Sequence, residues 1–274
     1  MAADNLVSSE IEQFYIGAAE EKRLTYGLGP LEFERNKELI ARFLPKGPSF
    51  IIDVGGGPGI YSEWLAGIGH NVHLIDPVKK HIQQAQKRAA KLKPPFKAAL
   101  GEARLLDFPD EAADIVVEHG PLYHLQQRAD RILTLKEAYR VLKPGGLMLG
   151  FAINHSVSTL TGLLNGMIHD DQFYNMCMDE LKTGLHNPPA AWPGILPEAF
   201  FHKPNELLAE VTEAGFTGIK LFAVEGMIWL DAKYFESRSN PGKKEKMMNL
   251  LKASEQSMGL MCFSPHMMIC GRKQ

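Results

Sequence analysis

Long hydrophobic runs are missing: no window approaches the roughly 18 consecutive apolar residues that a membrane-spanning helix requires. A surplus of positive charge is missing too. Lys and Arg number 30 against 32 Asp and Glu, and a net charge of −2 leaves no basic field to hold a polynucleotide. The three cysteines, Cys177, Cys262 and Cys270, lack zinc-type spacing, and an odd count does not make a disulfide framework. The opening Met1-Ala2-Ala3-Asp4-Asn5 is polar and has no signal-peptide core, so a cytoplasmic location is expected. No Gly-x-x-x-x-Gly-Lys-Ser/Thr occurs, which excludes a P-loop. His169-Asp170-Asp171 stands without a pattern of further ligands, so no metal site is expected. At 274 residues the chain is long enough for one large domain with insertions, or one domain with a small cap.

What is present is concentrated in one stretch. Ile51-Ile52-Asp53-Val54 is an apolar run that enters Gly55-Gly56-Gly57-Pro58-Gly59. A helical pattern follows, with Ile60, Trp64, Leu65 and Ile68 on one face. Strand, glycine turn and helix let a ligand approach bare backbone at a helix N-terminus, and Gly55, Gly57 and Gly59 leave no Cβ to hold it off. An ordinary strand-to-helix turn is the alternative. The dinucleotide fingerprint Gly-x-Gly-x-x-Gly fails, because Ile60 occupies the place of its third glycine.

Strands and helices alternate from there. Val72-His73-Leu74-Ile75-Asp76 is a second strand, and its terminal acid lies about 20 residues past Gly57, the interval at which a carboxylate reaches a ribose. Capping the next helix, expected over 78–92, is the competing role for Asp76. A third strand near 96–100 runs into Gly101-Glu102-Ala103. Ala113-Asp114-Ile115-Val116-Val117-Glu118 is almost continuously apolar, as a buried parallel strand is, and leads into His119-Gly120-Pro121-Leu122-Tyr123-His124-Leu125. A helix over 128–142, with Leu135, Ala138, Tyr139 and Leu142 on one face, stops at Lys143-Pro144-Gly145-Gly146, and 147–153 is a fifth strand. This alternation predicts a doubly wound α/β sheet. Two helices precede it, one over 9–24 with Ile11, Phe14, Tyr15 and Ala18 on a face, the other near 31–43. They either pack against the sheet or form a lid that offers Tyr15, Arg23, Tyr26 or Arg35 to a ligand. A helix over 205–214 and strands over 217–224 and 261–270 complete the core.

The segments 53–59, Asp76, 101–103, 114–118 and 142–146 are similar, in order and spacing, to successive motifs of the class I S-adenosylmethionine-dependent methyltransferases. The variety resembled is the one shared by quinone-biosynthesis and other small-molecule methyltransferases, over about 50–153 and again from near 204. The resemblance implies a Rossmann-like, mostly parallel sheet with an antiparallel last strand and helical cap insertions. It also implies methyl transfer from S-adenosylmethionine to a small-molecule acceptor, with S-adenosylhomocysteine as product and neither nucleic acid nor membrane as partner. An NAD(P)-dependent oxidoreductase and a non-catalytic S-adenosylmethionine-binding regulator are the alternatives.

Roles follow from the same resemblance. The backbone of Gly55, Gly57 and Gly59 would lie along the methionine part of the cofactor, with Asp53 near its ammonium. Asp76, followed by Pro77, would hold the ribose. Glu102, where many relatives carry Asp, and the Ala103 amide would read the adenine edge. Glu118 and His119 would stand beside the methionine portion, unless they are simply a satisfied loop pair. Residues 1–45 would form a helical lid, 46–154 the cofactor-binding core, and 155–203 a cap insertion with a helical pattern between about 158 and 181. Residues 204–274 would complete the core around a second insertion at about 226–260. Both insertions are expected to enclose the acceptor, with Tyr15 and Tyr26 contacting it. His124 and His155, near the ends of strands four and five, are the candidate bases, since imidazole titrates near neutrality. Asn187-Pro188-Pro189-Ala190 is read as a proline turn.

Overall fold

The computed structural model describes residues 9–17, 20–189, 192 and 195–274, so Ala18 and Ala190 lie outside the described residues. Three helices come first: α1 (Ser9–Gly17), α2 (Glu20–Arg23) and α3 (Gly29–Ala41). The alternating part comprises β1 (Phe50–Val54), α4 (Ile60–Gly67), β2 (Asn71–Asp76), α5 (Lys79–Ala89), β3 (Lys97–Leu100), β4 (Ala113–Glu118), α6 (Pro121–His124), α7 (Arg128–Val141) and β5 (Leu142–Ile153). Next are α8 (Val157–Asn165), α9 (Asp171–Thr183) and the short strands β6 (Leu185–His186) and β7 (Ala199–Phe200). The chain ends through α10 (Pro204–Glu213), β8 (Thr217–Ala223), α11 (Tyr234–Ser239), α12 (Pro241–Ser254) and β9 (His266–Arg272).

Seven strands form one sheet in the order β3-β2-β1-β4-β5-β9-β8. β1 to β5 pair in parallel, and β9 runs antiparallel to both of its neighbours. The expected mostly parallel sheet forms, and its antiparallel last strand slots between β5 and β8. Alternation along the central strands fills two cores. Ile52, Val54, Val116 and Met148 enter one; Ile51, Ile115, Val117 and Leu149 enter the other. The strand order reverses between β1 and β4, which opens a crevice beyond their carboxyl ends.

Several boundaries differ from the sequence pattern. α4 ends at Gly67, so Ile68 is exposed, and Tyr61, Ser62 and Leu65 form the buried face instead. The pattern over 158–181 splits in two because Gly166, at φ 83°, ends α8. β5 starts at Leu142 and carries Lys143-Pro144-Gly145 as an exposed stretch where its register with β4 shifts. β9 starts only at His266, because Pro265 has no N–H for a ladder and Met261–Phe263 form a turn of 3-10 helix.

The second insertion packs on the far flank of α3, where Ile228, Tyr234 and Leu251 enclose Leu31. Within the first insertion, Phe173, Met176 and Cys177 make a small core of their own, and the Asp170 carboxylate caps α9. No helix among the described residues is long and apolar enough to cross a membrane.

Candidate functional site

Two cavities meet over the glycine turn, with Tyr15, Glu20, Gly55, Gly57 and Tyr123 lining both. The first runs over Asp76, Pro77, Glu102 and Ala103. Gly57 sits at φ 55°, and a Cβ built on it would meet nothing within 4 Å, so it would project into open space. Its N–H donates to Asp76 Oδ2 at 2.9 Å. Gly59 answers to a different constraint. It lines neither cavity; at φ 83° its missing Cβ leaves room for Ala85 and Phe96, each 3.1 Å from where a Cβ would stand. Its glycine serves helix packing rather than ligand access.

Asp76 is buried and already engaged. Oδ1 accepts from the Val78 N–H at 2.9 Å and lies 3.0 Å from His81 Nδ1. The carboxylate therefore ties the glycine turn to the start of α5, while a second lone pair on Oδ2 stays available to a ligand hydroxyl. Glu102 is held by Arg104, whose Nε donates to Oε2 at 2.7 Å.

Asp53 is fully buried beneath the turn and lines neither cavity, because the β1 pleat aims it toward α4. It accepts from Ser62 Oγ at 2.6 Å and pairs with His119 Nδ1 at 2.8 Å. His119 takes the place beside the second cavity instead. Its ring stacks between Tyr61 (4.3 Å, 13°) and Phe151 (4.8 Å, 9°), and Nε2 has no partner among the described residues. Glu118, one residue earlier, points to the other face of the strand. It is buried, neither oxygen has a partner among the described residues, and burial pushes its pKa up to about 8. Of the two, only His119 lines a cavity.

The candidate bases change. His124 lines the first cavity, but its Nε2 is 2.8 Å from Tyr15 Oη, and burial lowers its pKa to about 4. A neutral imidazole of that basicity is a poor proton acceptor near pH 7. His155 lines neither cavity; its Nδ1 pairs with Asn154 Oδ1 at 3.0 Å in the turn after β5. Tyr15 lies over both cavities, whereas Tyr26 is 63% exposed in the turn before α3 and touches neither.

The deep wall of the second cavity comes from residues that the motifs did not single out. Arg23 forks onto Glu32 at 2.6 and 2.9 Å, and His266 Nδ1 pairs with Glu225 Oε1 at 2.7 Å. Burial opposes the charge on Glu32, but Arg23 outweighs it and holds the pKa at about 2. Burial likewise opposes charge on His266, yet Glu225 and Glu32 raise its pKa to about 9. Glu32, Glu225 and His266 lie within 4.8 Å of one another, but Arg23, Ser264 and each other already engage them, which makes the group an ion-pair network. Asn36, one turn after Glu32 on α3, donates to Tyr61 Oη at 2.9 Å. Glu32 and Asn36 at i and i+4 on a helix with few other buried polar groups were the available signal. Among the described residues, the first insertion contributes Leu196 to this cavity and the second insertion contributes none.

Gly57→Val tests the turn. A β-branched side chain at φ 55° is strained and fills the space between the cavities. Affinity for S-adenosylhomocysteine should fall more than about tenfold in calorimetric titration, equivalent to about 1.4 kcal/mol. Unchanged affinity would mean that no ligand lies against Gly57.

Residues 52–150 match the family model described as a methyltransferase domain. The ubiquinone biosynthesis O-methyltransferase of Methylobacterium nodulans is 27% identical over 65% of this chain and 64% of its own length. The 2-methyl-6-phytyl-1,4-hydroquinone methyltransferase of Synechocystis is 39% identical over 39% of this chain and 32% of its own. The match to each of these curated relatives thus spans less than two thirds of the relative. A S-adenosylmethionine-dependent methyltransferase of Methanosarcina mazei superimposes with a TM-score of 0.59 at 18% identity, covering 86% of this chain and 96% of that one. With the motifs on one crevice of this sheet and a methyltransferase domain matched across residues 52–150, this core is similar to that of the class I S-adenosylmethionine-dependent methyltransferases.

Proposed function

We propose that the protein methylates a small molecule, with S-adenosylmethionine across the glycine turn and the acceptor in the second cavity. The observation that carries this reading is the pair of cavities joined over Gly55 and Gly57. The first suits a nucleoside: Asp76 Oδ2 has a lone pair for a hydroxyl, Glu102 has one for an amino group, and Gly57 gives close access to backbone. Bound there, S-adenosylmethionine supplies an electrophilic methyl group. The chain's own part is to align the acceptor and exclude water. Tyr15 on α1 and Arg23 on α2 cover the crevice, which supports the lid reading of residues 1–45.

The second cavity carries Phe14, Tyr15, Tyr61, Tyr123 and Phe151 together with the charged Arg23, Glu32 and His266. An acceptor with a flat apolar body and a polar end fits that lining, and two relatives are named for quinone-type substrates. A net charge of −2 supports a small molecule over a polynucleotide, and free cysteines fit a cytoplasmic setting.

Titration with S-adenosylmethionine, S-adenosylhomocysteine and NADH separates the competing activities. Both sulfur nucleosides should bind and NADH should not. Binding of NADH alone would assign an oxidoreductase, and a screen of phenols, thiols and amines for S-adenosylhomocysteine release distinguishes an enzyme from a binding protein.

A further inference from the structure

Resting on the methyltransferase reading, we propose that Asp53 and His119 form a dyad in which His119 Nε2 removes the proton from the acceptor as it is methylated. Asp53 accepts from Ser62 Oγ on one oxygen and faces His119 Nδ1 at 2.8 Å with the other. A carboxylate can only accept, so Nδ1 carries the hydrogen, and in the neutral ring the lone pair is on Nε2. That nitrogen is buried, has no partner among the described residues, and belongs to a ring that lines the second cavity. Tyr61 and Phe151 sandwich the ring at 4.3 and 4.8 Å, which fixes its plane. Aromatic stacking and a buried carboxylate behind the ring hold a base in one orientation beside the cavity.

The other titratable groups on this cavity are poorly suited. Arg23 holds Glu32 at a pKa of about 2, and Glu225 and Glu32 keep His266 charged, with a pKa of about 9. Burial raises the phenols of Tyr15, Tyr61 and Tyr123. Glu20 bonds to Arg23 Nε at 2.7 Å.

The step balances. The acceptor's O–H, N–H or S–H bond gives its proton to Nε2, and its electron pair forms the bond to the methyl carbon. The carbon–sulfur bond breaks with its pair left on sulfur. The imidazolium beside Asp53 then loses its proton to solvent. Asp53 is a positioning residue, since it acts through His119.

The first test needs no acceptor. Nitrogen NMR of 15N-histidine-labelled protein saturated with S-adenosylhomocysteine should show His119 protonated on Nδ1 and bare on Nε2 at neutral pH. Asp53→Asn, whose amide can donate to Nδ1, should weaken that preference. A parent His119 protonated on Nε2 overturns the proposal. With any acceptor that the parent methylates, His119→Gln should lower turnover by roughly 10²–10⁴ while S-adenosylhomocysteine affinity stays within about threefold. Added imidazole should partly restore His119→Ala, which a purely packing role would not allow. Turnover of His119→Gln within about threefold of the parent also overturns the dyad. Failure of the parent to bind either sulfur nucleoside would instead overturn the methyltransferase reading.

Discussion

Glu118→Gln is expected to stabilise the protein at alkaline pH, by on the order of 3 kcal/mol at pH 9. Substitution of a buried residue usually destabilises. Here the folded chain keeps a proton on Glu118 up to about pH 8, because burial offers the charged form neither water nor a partner. The unfolded chain releases that proton near the ordinary value of 4.5. Across this window the unfolded state binds fewer protons, so unfolding becomes easier as pH rises. Glutamine keeps the shape and has no proton to lose. His266 also loses stabilisation as pH rises from 6.5 to about 9, and His124 loses it as pH falls from 6.5 to about 4. Both effects occur in parent and variant and cancel in the difference. Melting temperatures of the two proteins should diverge from pH 5 to pH 9, by roughly 6–12 °C at the upper end. Parallel curves would mean that Glu118 is not a neutral buried acid.

The segment from β1 to β5 was legible because each signal was local. The apolar runs at Ile51 and Ile115 and the stop at Gly145-Gly146 depend on near neighbours alone. Gly55, Gly57, Asp76, Pro77, Glu102 and Ala103 fall on the first cavity for a related reason: carboxyl ends of parallel strands share one side of the sheet. What failed depended on direction or on distant segments. Spacing places Glu118 and His119 together, whereas only His119 lines a cavity. Gly59 resembles a ligand-facing glycine until Ala85 and Phe96 arrive from α5 and beyond. The second insertion looked like a cap because it follows a strand end, but Ile228, Tyr234 and Leu251 match Leu31 on α3, far away in sequence. The wall of the second cavity is assembled from Arg23, Glu32, Asn36, Tyr61, Phe151 and His266, and no window of sequence holds that convergence.

Asp76→Ala should lower both stability and cofactor affinity, and the two losses arise from different lone pairs. In the unliganded chain Asp76 accepts from the Gly57 N–H and the Val78 N–H, each at 2.9 Å, and packs against His81. Alanine leaves those donors without a charged acceptor, at about 1.5–3 kcal/mol for a hydrogen bond to a charged group. Gly57 is partly open to water and recovers some of this, so a net loss of about 2 kcal/mol is expected. If the remaining lone pair on Oδ2 also holds a ribose hydroxyl, affinity for S-adenosylhomocysteine should fall by roughly ten- to a hundredfold. Asp76→Asn separates the contributions further. Its carbonyl oxygen can accept from one backbone donor, but its amide turns a hydrogen toward the other, so stability should recover in part and affinity little. Calorimetric titration well below the melting temperature of each variant keeps the two losses apart. A lower melting temperature with parental affinity would make Asp76 a clamp for the glycine turn and nothing more. Parental values of both would contradict the hydrogen bonds as well as the ribose contact.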